Sequence, residues 1–285
     1  MNNFEDKVLH SQVFLINLDV ATDRLKVALK NIADAGFTKV ECVSGIHAAE
    51  LDDEGLAAEW AKHGSPKLCV DNDKGRKFKE QIGRQGCMLS HLKIWKMILE
   101  MENVSDDTYF TIFEDDIIFH NQWNTLAPCF YLKTPCDFDI LYIGNQMAVD
   151  DLKNTRKYVV QLPTYCNHAY IITKQGARKL YHWILSREEG VYTIDETMHN
   201  HMKTKGKRDF IWYCWNITRL EASTYALKLS ETSKTNLRSL NYLERTTGLV
   251  YQNIDFKSFI NEGLYTIFDD PNMNARFKDY NENTN

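Results

Sequence analysis

Three consecutive carboxylates, Glu114-Asp115-Asp116, interrupt an apolar, aromatic and β-branched run that extends from Tyr109 to Phe119. Adjacent like charges repel, and an ionised carboxylate is costly to hold beside buried apolar groups. Such a run predicts a strand that ends or bends where a cation waits. On a continuous strand Glu114 and Asp116 would share a face and Asp115 would take the other. Two carboxylates at that spacing can grip a hard divalent cation that also binds a diphosphate. The plainer reading, an acidic turn between two hydrophobic segments, stays open on this stretch alone.

Two further clusters carry chemical potential. Gly83-Arg84-Gln85-Gly86-Cys87-Met88-Leu89-Ser90-His91 opens a strong helix, and its glycines and helix-start N–H groups suit an anion. It lacks the Gly-Lys-Ser/Thr ending of a P-loop. His91 lies beside the apolar stripe, where a packed histidine is the favoured reading and a catalytic one the alternative. In Asp195-Glu196-Thr197-Met198-His199-Asn200-His201, a helix would make Asp195 and His199 neighbours, whereas a strand would pair His199 with His201. A metal site, a general base towards an acceptor hydroxyl, and a solvated helix start all remain open there. No G-x-S-x-G elbow argues for covalent catalysis.

The elements that must position these residues follow from periodicity. Val13–Leu18 and Val40–Val43 read as strands around a helix marked by Leu25, Ala28, Leu29 and Ile32, which stops at Gly36. Strand, helix, strand points to a parallel α/β sheet. Residues 50–62 read as a helix, and 63–80 as a long polar connection with functional potential. After Gly86, the residues Met88, Leu92, Trp95 and Leu99 form one helical stripe, with Ile98 alongside. Strands are predicted at 139–144, 168–173 and 210–215, and a helix at 176–185. Residues 226–285 read as modestly amphipathic helices with a polar tail.

A net charge of -5 argues against a dedicated nucleic-acid partner. The basic segments Lys74–Lys79 and Lys203–Arg208 read as solvated loops, with phosphate or an anionic membrane surface as the alternative partner. Seven scattered cysteines without a C-x-x-C pair speak against structural zinc and fit a reducing compartment. No signal-peptide layout or membrane-length apolar run is visible, so the expectation is a cytoplasmic protein.

Taken together, the segments resemble glycosyltransferase family 25, the family of lipooligosaccharide and collagen galactosyltransferases. The matching motifs are Val13–Asp19 with Asp23-Arg24, Gly86–His91, Phe113–Asp116 and Asp139–Gly144. The Ala169-Tyr170 strand with Gly176-Ala177, and then Asp195, follow in the family's order. The resemblance spans roughly residues 11–224. It implies a GT-A-type, Rossmann-like mixed sheet flanked by helices as a transferase domain over 1–224, with a C-terminal extension over 225–285. It also implies an inverting, metal-dependent transferase. The donor would be a UDP-sugar, usually UDP-galactose, and the acceptor a glycan or lipid-linked saccharide of the kind built in lipopolysaccharide biosynthesis. An enzyme of that kind would act in the cytoplasm or at the inner face of the membrane, with peripheral membrane contact.

On that resemblance Glu114 and Asp116 hold Mn²⁺ or Mg²⁺. Asn17, Asp19, Arg24, Ser90, His91, Asp115 and Gly144 face the donor, and Asp195 is the base, with Glu196 in reserve. The chain departs from the family at Arg84-Gln85, where a Glu-Ile pair is common. It also departs at Trp215–Glu221, which lacks a proline and places Glu221 near a usual glutamine. Two other functions fit the same residues: a metal-dependent phosphohydrolase, and a non-catalytic glycan-binding protein.

Overall fold

The computed structural model describes residues 4–69, 81–146, 158–204, 209–216 and 246–252. A short helix α1 (Phe4–Leu9) precedes strand β1 (Gln12–Asn17), helix α2 (Thr22–Asp34) and strand β2 (Lys39–Ser44). A 3-10 turn at Ala48–Glu50 leads to α3 (Asp53–Ala61), and the long α4 covers Ile82–Glu100. Then come β3 (Tyr109–Glu114), β4 (Ile117–Phe119), α5 (Trp123–Lys133) and β5 (Ile140–Gln146). The remainder is β6 (Val159–Val160), β7 (Tyr165–Thr173), α6 (Lys174–Leu185), α7 (Ile194–Thr204), β8 (Trp212–Trp215), β9 (Thr246–Gly248) and β10 (Val250–Gln252).

The main sheet has eight strands in the order β2-β1-β3-β7-β5-β8-β6, with β9 paired to the far half of β5. β1 runs parallel to β2 and β3, while β7 is antiparallel to both β3 and β5, so the sheet is mixed, as expected. Strand alternation divides its apolar residues between two cores. Phe14, Ile112, Tyr142 and Tyr170 pack with the α4 stripe of Met88, Leu92, Trp95 and Ile98. Val13, Leu15, Phe113, Leu141 and Ile171 pack on the other face with Ile32, Trp123 and Phe130.

Three expectations change. The run 109–119 ends a strand at the carboxylates, as expected, and the face-sharing of Glu114 and Asp116 on a continuous strand does not apply: β3 stops at Glu114, a turn holds Asp115 and Asp116, and β4 leaves to pair with β10. Carboxylates cannot continue between two apolar cores, so the chain turns at the first place it can put them. Helix α4 begins four residues before Gly86, so Gly83 and Gly86 lie inside it rather than before it. Residues 246–252, read as part of a helical extension, hold two strands: β9 joins the main sheet at β5, and β10 pairs with β4 in a separate two-stranded sheet. The basic stretches 74–79 and 205–208, and Glu221, lie outside the described residues. Among the described residues no helix is long and apolar enough to cross a membrane.

Candidate functional site

β1 and β3 run in parallel and end at one edge, where Ile16 is in register with Glu114. The chain leaves β1 into α2, whose first turn carries Arg24 back over that edge. Arg24 donates from Nη2 to Asp115 Oδ1 and lies 3.7 Å from Asp116 Oδ2. The cation anticipated beside the acidic run is therefore in part a side chain of this chain. Three carboxylates face one guanidinium, so if all ionise the group keeps two uncompensated negative charges. Burial pushes Glu114 and Asp116 well above the ordinary carboxylate range. Asp115 is pushed up to about 7 by burial, against the pull of Arg24.

These residues form one wall of a cleft enclosing about 780 Å³, bulk solvent at its mouth included, opposite Ile16, Leu18, Ile46 and Ala48. The motif Gly86-Cys87-x-x-Ser90-His91 resolves into two pairs at i, i+4. Gly86 and Ser90 dock the loop after β2: Ser90 Oγ accepts from Ile46 N–H at 2.8 Å and donates to Gly86 O at 2.7 Å. A Cβ on Gly86 would lie 2.4 Å from Ile46 O, so only glycine permits that approach. Cys87 and His91 turn to Glu114, with Cys87 Sγ at 3.9 Å and His91 Nε2 at 3.2 Å from Oε1. The opposite imidazole nitrogen, Nδ1, lies 2.9 Å from the Tyr170 hydroxyl, and burial lowers the His91 pKa to about 4.

Asp195 enters from the start of α7. Thr193 caps that helix, its Oγ1 accepting from Glu196 N–H at 3.5 Å, and Thr193-x-x-Glu196 has the capping-box spacing. A helix start favours an anion, yet burial and the nearby Glu114 charge push Asp195 up to about 6. Asn167 Nδ2 donates to Asp195 Oδ1 at 2.6 Å, and Tyr142 donates to Asn167 Oδ1 at 3.2 Å. Asn167 reaches that position through a bulge. Between Ala169 and Tyr165 strand β7 spends four residues where β5 spends two, and Cys166 takes a φ of 67°.

A divalent cation fits the acidic wall on two grounds. Asp116 Oδ1 is buried with no hydrogen-bond partner among the described residues, and carboxylate oxygens suit hard ions. The Cys87 thiol, the His91 imidazole and the Glu114 carboxylate also lie within 4.8 Å of one another.

The other expected residues divide. Asn17 is buried at the end of β1, outside the cleft lining, with its Oδ1 unbonded among the described residues. Asp19 is exposed and accepts from Ser44 Oγ at 2.9 Å, outside the cleft lining. Gly144 is likewise absent from the lining. A Cβ there would lie 2.2 Å from Val250 O, so the passage of β10 by itself requires glycine. Asp195 and His199 share α7, but His199 stacks on Tyr165 at 3.9 Å, and His201 lies tilted against Trp183 at the same spacing. Among the described residues neither histidine joins a metal-ligating group. Asn167, Tyr142, Tyr170 and Gln252 were missed. Gln252 donates to Asp116 Oδ2 at 3.4 Å from 136 positions away, and nothing local in the sequence signals that contact.

Residues 10–168 match the family model described as glycosyltransferase family 25 (LPS biosynthesis protein). Procollagen galactosyltransferase 1-B of Xenopus laevis is 31% identical over 193 residues, which cover 61% of this chain and 28% of that protein. A glycosyltransferase 25 family member of Aedes aegypti is 25% identical, covering 62% and 28%. The chain thus spans under a third of the length of these relatives. The galactosyltransferase LgtC, solved with donor and acceptor sugar analogues, overlaps 85% of this chain and 87% of its own at 11% identity. Its TM-score of 0.37 is too low to carry a conclusion.

Proposed function

Because the chain belongs to glycosyltransferase family 25, we propose that it transfers a hexosyl group, with galactose the first candidate, from a UDP-sugar to a hydroxyl of a glycan or lipid-linked saccharide. The observation that carries this reading is the acidic wall. Glu114, Asp115 and Asp116 close the edge between β1 and β3 with one arginine for three carboxylates. Glu114 and Asp116 would hold Mn²⁺ or Mg²⁺, which supplies Lewis-acid neutralisation of a departing diphosphate.

Arg24 orients Asp115 and keeps the cluster from excess repulsion. Asn17 offers its unbonded Oδ1 to a donor group of the nucleotide. Asp195 is the base of an inverting transfer. Asn167 occupies Oδ1, so Oδ2 takes the proton of the acceptor hydroxyl. Its raised pKa of about 6 suits a base that must hold that proton transiently near neutrality. The Asn167 bond to Asp195 supports the choice of Asp195, with Glu196 one position further along the helix as the reserve.

The test is incubation of the full chain with MnCl₂ and a panel of UDP-sugars, followed by UDP release and calorimetric donor binding. We expect binding of one UDP-hexose that disappears in EDTA. No binding to any UDP-sugar with cation present would overturn the assignment. Phosphate release from phosphoesters without sugar transfer would favour a hydrolase instead.

A further inference from the structure

Trp95, Tyr170 and His91 are fully buried between α4 and β7. The rings are in contact: His91 and Tyr170 centroids lie 5.7 Å apart, and His91 and Trp95 centroids 6.2 Å. The direction of their hydrogen bonds can be worked out from what each group is able to do. An indole N–H only donates, so at 3.0 Å the Tyr170 oxygen accepts from Trp95 Nε1. The Tyr170 proton must then go elsewhere. Among the described residues its one other partner is His91 Nδ1. Nδ1 therefore accepts, the ring carries its hydrogen on Nε2, and that hydrogen faces Glu114 Oε1. The opposite polarity would leave a buried phenolic proton with no acceptor, which proteins avoid.

We propose that Trp95 and Tyr170 lock His91 as its Nε2–H tautomer and make it the positioning residue for Glu114. His91 thus aims that carboxylate and does not itself ligate the cation, near as its ring is to Cys87 and Glu114. With Oε1 engaged by His91 and Cys87, Oε2 is the oxygen left for the ion. This rests on the reading of Glu114 as a cation ligand given above. Supporting shells of this kind commonly change metal affinity by about 10- to 100-fold when removed.

Two measurements on the full chain test it. In ¹⁵N-histidine-labelled protein without cation, the His91 signals are identified by their loss in His91→Gln. They should show the Nε2-protonated pattern, unchanged by MgCl₂ and collapsing to a tautomer mixture in Tyr170→Phe. An Nδ1-protonated pattern, or loss of the Nε2 proton on adding Mg²⁺, overturns the proposal. In calorimetric titrations of MnCl₂ with UDP present, His91→Gln keeps an N–H donor and should stay within about threefold of wild type. His91→Leu, checked as folded by thermal melting, should weaken binding about 10-fold or more. Equal losses in both variants would mark His91 as a ligand and overturn the proposal. Absence of cation binding in the wild type would instead overturn the functional reading, while the tautomer spectrum would still decide the polarity of the chain.

Discussion

Replacing Asp195 by asparagine should stabilise the protein while disabling it, and the pH dependence of that gain identifies its cause. Burial first, and the Glu114 charge second, raise Asp195 from its ordinary 3.8 to about 6. At about 1.4 kcal/mol per pKa unit, a rise of roughly two units makes the ionised side chain about 3 kcal/mol costly in the fold. The side chain keeps a partly exposed edge, and solvent screening trims the cost to about 2 kcal/mol. The sign follows from proton counting. The folded pKa lies above the unfolded one, so in the window from about pH 4 to about pH 6 the native state holds a proton that the unfolded chain has released. Wild-type stability therefore falls as pH rises through that window. Asparagine cannot ionise and lacks this slope, yet its carbonyl can still accept from Asn167.

The assay is urea unfolding in EDTA, followed by tryptophan fluorescence, at about pH 4.5 and pH 7.5. We expect Asp195→Asn to be less than about 1 kcal/mol more stable than wild type at the lower pH and about 2 kcal/mol more stable at the higher one. Glu114 titrates in both proteins, so its own slope cancels to first order in the difference. Transfer should fall by about 10²- to 10⁴-fold, the usual contribution of a general base, while UDP binding persists. A variant less stable than wild type at pH 7.5, or a difference that ignores pH, would refute the buried-charge argument. Lost UDP binding would refute the assignment of Asp195 to the acceptor side.

Asp116→Asn removes the carboxylate whose Oδ1 has no partner among the described residues; it should weaken Mn²⁺ affinity by about 10-fold or more and abolish the melting shift given by MnCl₂ with UDP. A retained shift removes Asp116 from the cation site. In the wild type that shift should grow from pH 5 to pH 8, because the raised carboxylates must ionise to bind; a shift that shrinks over the same range contradicts the cluster as ligand. Asn167→Leu deletes the donor to Asp195 and should lower kcat about fivefold to tenfold with the KM for UDP-sugar unchanged, whereas a change confined to KM would place Asn167 on the donor side. Gly86→Ala forces a Cβ towards Ile46 O at 2.4 Å; melting should show a loss of about 1–3 kcal/mol and the KM for donor should rise. An unchanged KM would detach that loop from the donor pocket.

The strands that carry the site were legible wherever a local pattern sufficed. β1, β3 and β5 read correctly from short apolar runs, and the α4 stripe from its spacing, because burial on one or two faces leaves a periodic trace. Pairings between distant residues left none. Arg24 meets Asp115 across 91 positions, and β4 finds its partner only in β10. Gly144 shows a second reason for the same residue. Its place at a strand end near the expected ligand edge suggested a donor contact, whereas a crossing strand requires the missing side chain. Asp19, in the same motif as Asn17, bonds Ser44 and lies outside the cleft lining. Asn167 was illegible for a different reason. A bulge breaks the two-residue period that would have assigned it a face.

That bulge also explains how two acids with different work are held apart. Tyr142 and Tyr170 are directly opposed on β5 and β7, with ring centroids 6.1 Å apart. Opposed residues share a face of the sheet, so both hydroxyls serve the α4 side. Tyr170 acts through His91 on Glu114, and Tyr142 acts through Asn167 on Asp195. The spacing between the acid assigned to the departing diphosphate and the acid assigned to the acceptor proton is then set by strand register. Register is stiff, because a one-residue slip would turn every apolar side chain to the wrong core. The two carboxylates stand at the last residue of β3 and at a helix start, and each is tied through one intermediary to a tyrosine in the middle of the sheet. A regular β7 would leave Asn167 on the strand's ordinary period, and the tie to Asp195 would be lost without any change at Asp195 itself.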